Sequence, residues 1–162
     1  MKRLPHTDAR GAAHMVDVGD RPPSSRTATA RGEIRMAPAT IEALRAHELG
    51  KGDALATARI AGIQAAKETS RIIPRCHPLP LTHVAIDLSL LDDRVQVEAQ
   101  VACEGRTGVE MEALTAASAA LLTLYDMAKA IDRAMVIEAV RVIDKTGGTR
   151  AGGYADPLAD DA

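Results

Sequence analysis

The octapeptide "IPRCHPLP", Ile73 to Pro80, sets a thiol beside an imidazole between prolines. Three chemistries use such a pattern: metal ligation, attack by a thiolate with a neighbouring base, or anion binding by Arg75 and His77. Metal ligation fits poorly, because adjacent side chains on extended backbone point apart and no second Cys/His cluster completes a shell. A thiolate activated by its sequence neighbour fits no better, since nucleophile and base generally meet through the fold. Pro74, Pro78 and Pro80 restrict the chain and stiffen the loop. A stiff loop carrying Arg75 and His77 reads as a pocket wall for an anionic ligand, against the plainer alternative of a turn with a half-buried thiol at Cys76.

Other cations stand where anions bind. Lys51-Gly52-Asp53 lies at the mouth of a predicted helix, where free N–H groups favour anions. Asp53 reads as a plain N-cap, but a lysine there is mildly unfavourable and wants a further reason. The segment "KTGGTR" from Lys145 offers a cation and two glycines, either an anion-holding nest or an ordinary linker. Asp126, Lys129 and Arg133 fall on one helical face by their spacing. Two readings stand for them: a solvated, salt-bridged face, or an acid/base pair that the apolar setting "LLTLYDMAKAI" desolvates and pushes toward neutral pKa values. Glu110 and Glu112 open the same helix, where carboxylates suit its dipole.

The elements that must position these residues follow from periodicity. A largely irregular basic arm over residues 1–25 precedes a strand beginning at Arg26, with Gly32 as a bulge. A short helix follows at Thr40–His47, then a longer one from the Asp53 cap to Ser70, ended by "RIIP". "THVAIDLSLL" and "RVQVEAQVACE" alternate apolar and polar residues around a turn at Asp92-Asp93, which predicts a hairpin. A long amphipathic helix runs through "VEMEALTAASAALLTLYDMAKAIDRAM", and "VIEAVRVID" is a final strand. The order β-α-β-β-α-β predicts an α+β, ferredoxin-like domain over residues 26–148, an antiparallel sheet with helices on one face. A flexible tail over residues 149–162 completes the chain. The bare face of such a sheet calls for partner subunits.

Composition narrows the function. The chain has 162 residues, no Phe or Trp, and two Tyr, so its core must be close-packed from small and aliphatic side chains. The missing aromatics argue against single-stranded RNA recognition, which stacks bases on such rings. Of the 20 Lys and Arg, seven fall in the first 35 residues, against four of the 22 Asp and Glu, so the basic excess is at the front. Two cysteines without CxxC spacing fit a reducing cytosol better than a disulfide framework or a zinc site. No signal-like or membrane-length apolar run is present, so a cytoplasmic protein without membrane or nucleic-acid partners is expected.

Six blocks in order, "AHMVDV", "KGDALATARIAGIQAAK", "IPRCHPL", "TGVEMEALTAAS", "LYDMAKAIDRAM" and "KTGG", resemble the cyclic pyranopterin monophosphate synthase family of molybdenum cofactor biosynthesis, from about His14 to Gly148. The resemblance implies an enzyme that rearranges 3′,8-cyclised dihydro-GTP into cyclic pyranopterin monophosphate and releases diphosphate; no cofactor is expected, and the residues offer no ligand cluster for a bound metal. It also implies a ferredoxin-like homohexamer, a trimer of dimers, with pockets between subunits. Residue by residue, it assigns substrate binding to Arg75, Cys76, His77, Glu110, Met111, Glu112 and Lys145, and catalysis to Asp126, Lys129 and Lys51. The chain departs from the family pattern at Arg75, where an aliphatic residue is usual, at Ala128 for cysteine, and at Arg106 and Arg133 for lysine. A continuous helix would separate Glu112 from Asp126 by ~21 Å at its usual rise. One small pocket then needs them from different subunits. The rival class is a non-catalytic nucleotide- or pterin-sensing module, which would need the anion-binding residues but no acid/base pair.

Overall fold

The computed structural model describes residues 11–148 and Tyr154. The first ten residues, and the tail apart from Tyr154, lie outside this description, including the "TR" of "KTGGTR". The elements are β1 (Ser24–Arg35), α1 (Pro38–Arg45), α2 (Ala54–Ile72), β2 (Leu81–Leu90), β3 (Arg94–Gly105), α3 (Glu110–Ala128) and β4 (Val136–Thr146). The four strands form one sheet in the order β2-β3-β1-β4, and every neighbouring pair is antiparallel.

Alternation decides which face of the sheet is covered. Ala28, Ala30 and Ile34 of β1 and Val95, Val97, Ala99 and Val101 of β3 are fully buried; α3 packs over them, and α2 packs against α3 and over β2. The absence of large aromatics is met by close approach. Helix α2 turns Ala58, Gly62, Ala66 and Thr69 inward, α3 turns Ala113, Ala116, Ala117 and Ala120 inward, and the two backbones pack at small-residue distance. The opposite face carries Thr27, Arg31, Glu33, Gln96 and Glu98, cross-linked by Arg31–Glu98 at 3.0 Å and Arg94–Glu33 at 2.9 Å. That face is polar, so whatever meets it must match charge rather than bury an apolar surface.

Two expectations are corrected. Gly32 is not a bulge in its own strand: β1 runs in unbroken register against β3, and both irregularities lie in its pairing with β4. Between Arg31 and Glu33 the β4 partners move from Arg141 to Glu138, so the extra residue is in β4, where Ala139 has φ 57°. Glycine at position 32 is required by proximity, because a Cβ there would stand 2.7 Å from Leu121 and 2.9 Å from Val140.

The long helix also stops early. Apolar spacing continues to Met135, yet α3 ends at Ala128, with Lys129 as C-cap donating its N–H to Tyr125 O. The Asp132 carboxylate accepts from the N–H of Ala134 at 2.9 Å and, across the chain, from the N–H of Ala37 at 2.9 Å and the Thr40 hydroxyl at 3.2 Å. It thereby caps α1, whose own N-cap, Ala37, has no side-chain acceptor. Arg133 is consequently not on the helical face that carries Asp126 and Lys129. By contrast, α2 begins as its sequence requires, with Asp53 Oδ1 accepting from the Ala56 N–H at 2.9 Å.

Candidate active site

The residues singled out by the sequence gather at the two ends of α3. At its N-terminal end, the loop of residues 73–80, the turn before the helix and the end of β4 converge. The loop leaves α2 at Ile73, which is extended ahead of Pro74, and it turns through a hydrogen bond from the Cys76 N–H to Ile73 O at 3.0 Å.

Two contiguous cavities result. The first, of about 400 Å³, is lined by Arg21, Arg26, Arg75, Arg106, Lys145 and His77. Among the described residues its one carboxylate is Glu110, which accepts from Lys145 Nζ. Arg26 is steadied by Gly105 O at 3.4 Å. Arg106 donates to Gly19 O at 2.8 Å, tying the N-terminal arm to the rim. Gly148, at φ 81°, leaves room for Arg26, since a Cβ there would lie 1.9 Å from the guanidinium nitrogen. The glycines of "KTGG" thus serve to admit a neighbouring cation.

The second cavity, of about 790 Å³, shares His77, Thr107, Gly108 and Glu110 with the first and adds Cys76, Met111, Glu112 and apolar walls from Leu79 and Leu114. Glu112 is 4% exposed. Burial lifts its carboxyl to about 6, opposed by its own backbone N–H and reinforced by the nearby charge of Glu110. Burial, and then the charge of Glu112, also push the Cys76 thiol up. A thiol so placed stays protonated near neutral pH and is no nucleophile.

The other end of α3 holds Asp126, Lys129 and Lys51. Lys129 Nζ lies 2.6 Å from Asp126 Oδ1, and Lys51 Nζ lies 2.9 Å from Oδ2 and 2.8 Å from the Asp126 carbonyl oxygen. Desolvation does not move this group as the apolar setting predicts. Asp126 is 55% exposed, Lys129 52% and Lys51 43%, and the hydrogen bonds from Lys129 and then Lys51 hold the carboxyl down to about 2. The carboxylate shifted toward neutrality is Glu112, whose place in the first turn of a helix gave no reason to expect it. Lys51, Tyr125, Lys129 and Arg133 border a further hollow of about 350 Å³ beside Asp126.

The structure therefore brings Arg75, Cys76, His77, Glu110, Met111, Glu112 and Lys145 together, and Lys51, Asp126 and Lys129 together, but joins the two groups only through the unbroken length of α3. Arg21 and Arg26 were not among the predicted site residues. Their signal in the sequence was the basic excess of the first 35 residues, without a partner to aim it at. Among the described residues no group of three or more His, Cys, Asp or Glu is placed to hold a metal ion, and no helix is long and apolar enough to cross a membrane.

Comparison with known proteins agrees in extent with this geometry. Residues 15–148 match the family model described as MoaC family. The chain is 59% identical over 157 residues to a cyclic pyranopterin monophosphate synthase of Herpetosiphon aurantiacus, covering 96% of this chain and 95% of the relative. It is 57% identical over 150 residues to the protein of that name in Roseiflexus castenholzii, covering 91% and 95%. Over 148 residues it is 54% identical to the one in Novosphingobium aromaticivorans, covering 91% and 94%.

Proposed function

The chain belongs to the MoaC family, and from that premise we propose how its cavities carry out a cyclic pyranopterin monophosphate synthase reaction. The enzyme converts 3′,8-cyclised dihydro-GTP to cyclic pyranopterin monophosphate and diphosphate in molybdenum cofactor biosynthesis. The observation that carries the assignment of parts is a guanidinium-rich cavity opening directly into a larger one with a buried carboxyl that burial lifts to about 6.

The first cavity takes the triphosphate. Its guanidinium groups meet phosphate oxygens in pairs and stabilise charge as it builds on the departing diphosphate. In that step a hydroxyl oxygen of the sugar bonds to the α-phosphorus and gives up its proton to a base. The bond from that phosphorus to the bridging oxygen breaks, and its electron pair leaves with the diphosphate. The second cavity takes the guanine-derived ring. Met111 and Leu114 offer apolar contact, and Glu112 offers a carboxyl that donates or accepts a hydrogen bond near neutral pH.

Ring opening and closure require proton transfers, for which Lys51 and Lys129 are the donors and acceptors, with the Asp126 carboxylate positioning them. Asp126 stays ionised and fixes both ammonium groups. Because α3 holds these residues ~21 Å from Glu112, the reading places Asp126, Lys129 and Lys51 of one subunit over the cavities of another, across a two-fold interface. A homohexamer built as a trimer of dimers, working in the cytoplasm, is the assembly this implies. The strand order and the all-antiparallel pairing support a ferredoxin-like domain.

The test is to incubate the purified protein with the cyclised dihydro-GTP. Stoichiometric release of diphosphate with formation of the cyclic monophosphate is expected. Tight binding with no turnover would instead make the protein a sensor of the nucleotide.

A further inference from the structure

Arg75, Cys76 and His77 are consecutive, yet they face different spaces. Arg75 lines only the cationic cavity, Cys76 only the ring cavity, and His77 borders both. Thr107, Gly108 and Glu110 also belong to both and mark the shared rim. A nucleotide whose ring fills the larger cavity must pass its α-phosphate across that rim, which leaves the β- and γ-phosphates beyond it. Arg75 is on that far side, with Arg21, Arg26 and Arg106. Lys145 shares the cavity, but its ammonium is paired with Glu110.

We propose that Arg75 is a contact to the two terminal phosphates and that, after cleavage, it helps this cavity retain inorganic diphosphate as a ligand in its own right. The proposal rests on the assignment of the cationic cavity to the triphosphate. Charge then favours the smaller product. Cleavage leaves one negative charge on the cyclic phosphodiester and the greater part on the diphosphate, which stays among four guanidinium groups. The cavity needs no ring to bind such an anion. Free diphosphate should therefore compete with substrate and should leave after the cyclic product.

Isothermal titration of the wild-type protein with inorganic diphosphate, and separately with inorganic phosphate, tests this together with steady-state inhibition. Diphosphate is expected to bind at one site per subunit, at least tenfold tighter than phosphate, and to inhibit competitively. Arg75→Leu should weaken diphosphate binding about tenfold, the size of one charge-assisted hydrogen bond; Arg75→Lys should fall between it and wild type, because an ammonium lacks the two-pronged geometry. Arg71→Leu, at an 81% exposed side chain, removes the same charge from the last turn of α2, outside the residues that line the cavity, and should bind diphosphate as wild type does. Equal weakening by Arg71→Leu and Arg75→Leu would reduce the effect to net charge and overturn the proposal. So would wild-type affinity in Arg75→Leu, or no diphosphate binding by the wild type. Diphosphate binding that depends on Arg75 in a protein without turnover would overturn the synthase reading while upholding this one.

Discussion

Replacing Glu112 by Gln should stabilise the protein and disable it at once, and the stabilisation should depend on pH. Burial lifts the Glu112 carboxyl from its ordinary 4.5 to about 6, which corresponds to about 2 kcal/mol against the charged form at 1.36 kcal/mol per pKa unit. Below about pH 4.5 the group is protonated in both folded and unfolded chains, and the fold bears no penalty. As pH rises through 6, the folded chain must carry a buried carboxylate while the unfolded chain ionises it freely, so stability contributed by this group is lost. Gln keeps the volume and the acceptor oxygen but never ionises. Urea unfolding of wild type and Glu112→Gln at about pH 4 and about pH 8 should show a difference that grows by about 2 kcal/mol in favour of the variant. In a thermal melt at the higher pH the same gain should appear as about 4–8 °C. Turnover should fall at least ~100-fold, the usual contribution of a positioned proton-transfer group. A stability difference that is the same at both pH values would refute the reasoning, because Glu112 would then carry its charge without penalty.

Three further outcomes follow. Asp126→Asn should fold normally and lose at least ~100-fold in turnover; because the Asp126 carboxyl is held down to about 2, Asp126 supplies no limb of the pH–rate profile near 6, and such a limb should survive in the residual activity of Asp126→Asn and disappear in that of Glu112→Gln. His77→Ala should raise the substrate dissociation constant more than it lowers turnover, as expected for a rim residue that contacts ground and transition states alike, which equilibrium binding and single-turnover kinetics separate. Gly148→Ala should cost about 1–2 kcal/mol from its left-handed backbone, displace Arg26, and weaken diphosphate binding about tenfold, measurable by titration alongside a denaturation curve.

The parts of the fold set by local pattern were legible in the sequence. Alternation in "RVQVEAQVACE" marked β3 and its buried face, and Asp53 marked the start of α2, since both signals act within a few residues. The end of α3 was not legible, because Asp132 stops it by capturing the N–H of Ala37, 95 positions away, while the local spacing still favours helix. The burial of Glu112 was not legible for a related reason. A carboxylate in a first helical turn is usually solvated, whereas Glu112 is 4% exposed and shares its cavity with residues of the 73–80 loop and of β4, contacts made by the fold and not by its sequence neighbours. The cations Arg21 and Arg26 were visible as charge, but their target was fixed by the arm, β1 and the β4 glycines meeting in space. Asp126 and Lys129 sit in an apolar stretch of which Leu121, Leu124, Met127 and Ala128 turn inward while Leu122 and Ile131 stay exposed, and the ion pair is on the half-exposed side.

The central claim is that the catalytic pocket is shared between subunits. The direct test is to unfold Glu112→Gln and Asp126→Asn proteins together, refold the mixture, and assay diphosphate release from the cyclised dihydro-GTP. In a hybrid pair one pocket carries both lesions and the other carries none. Random pairing makes about half the pairs hybrids with one intact pocket of two, so activity should recover to roughly a quarter of wild type. Hybrids verified by mass with no activity above that of the two parent variants would contradict the account and place Glu112 and Asp126 in the same chain's chemistry.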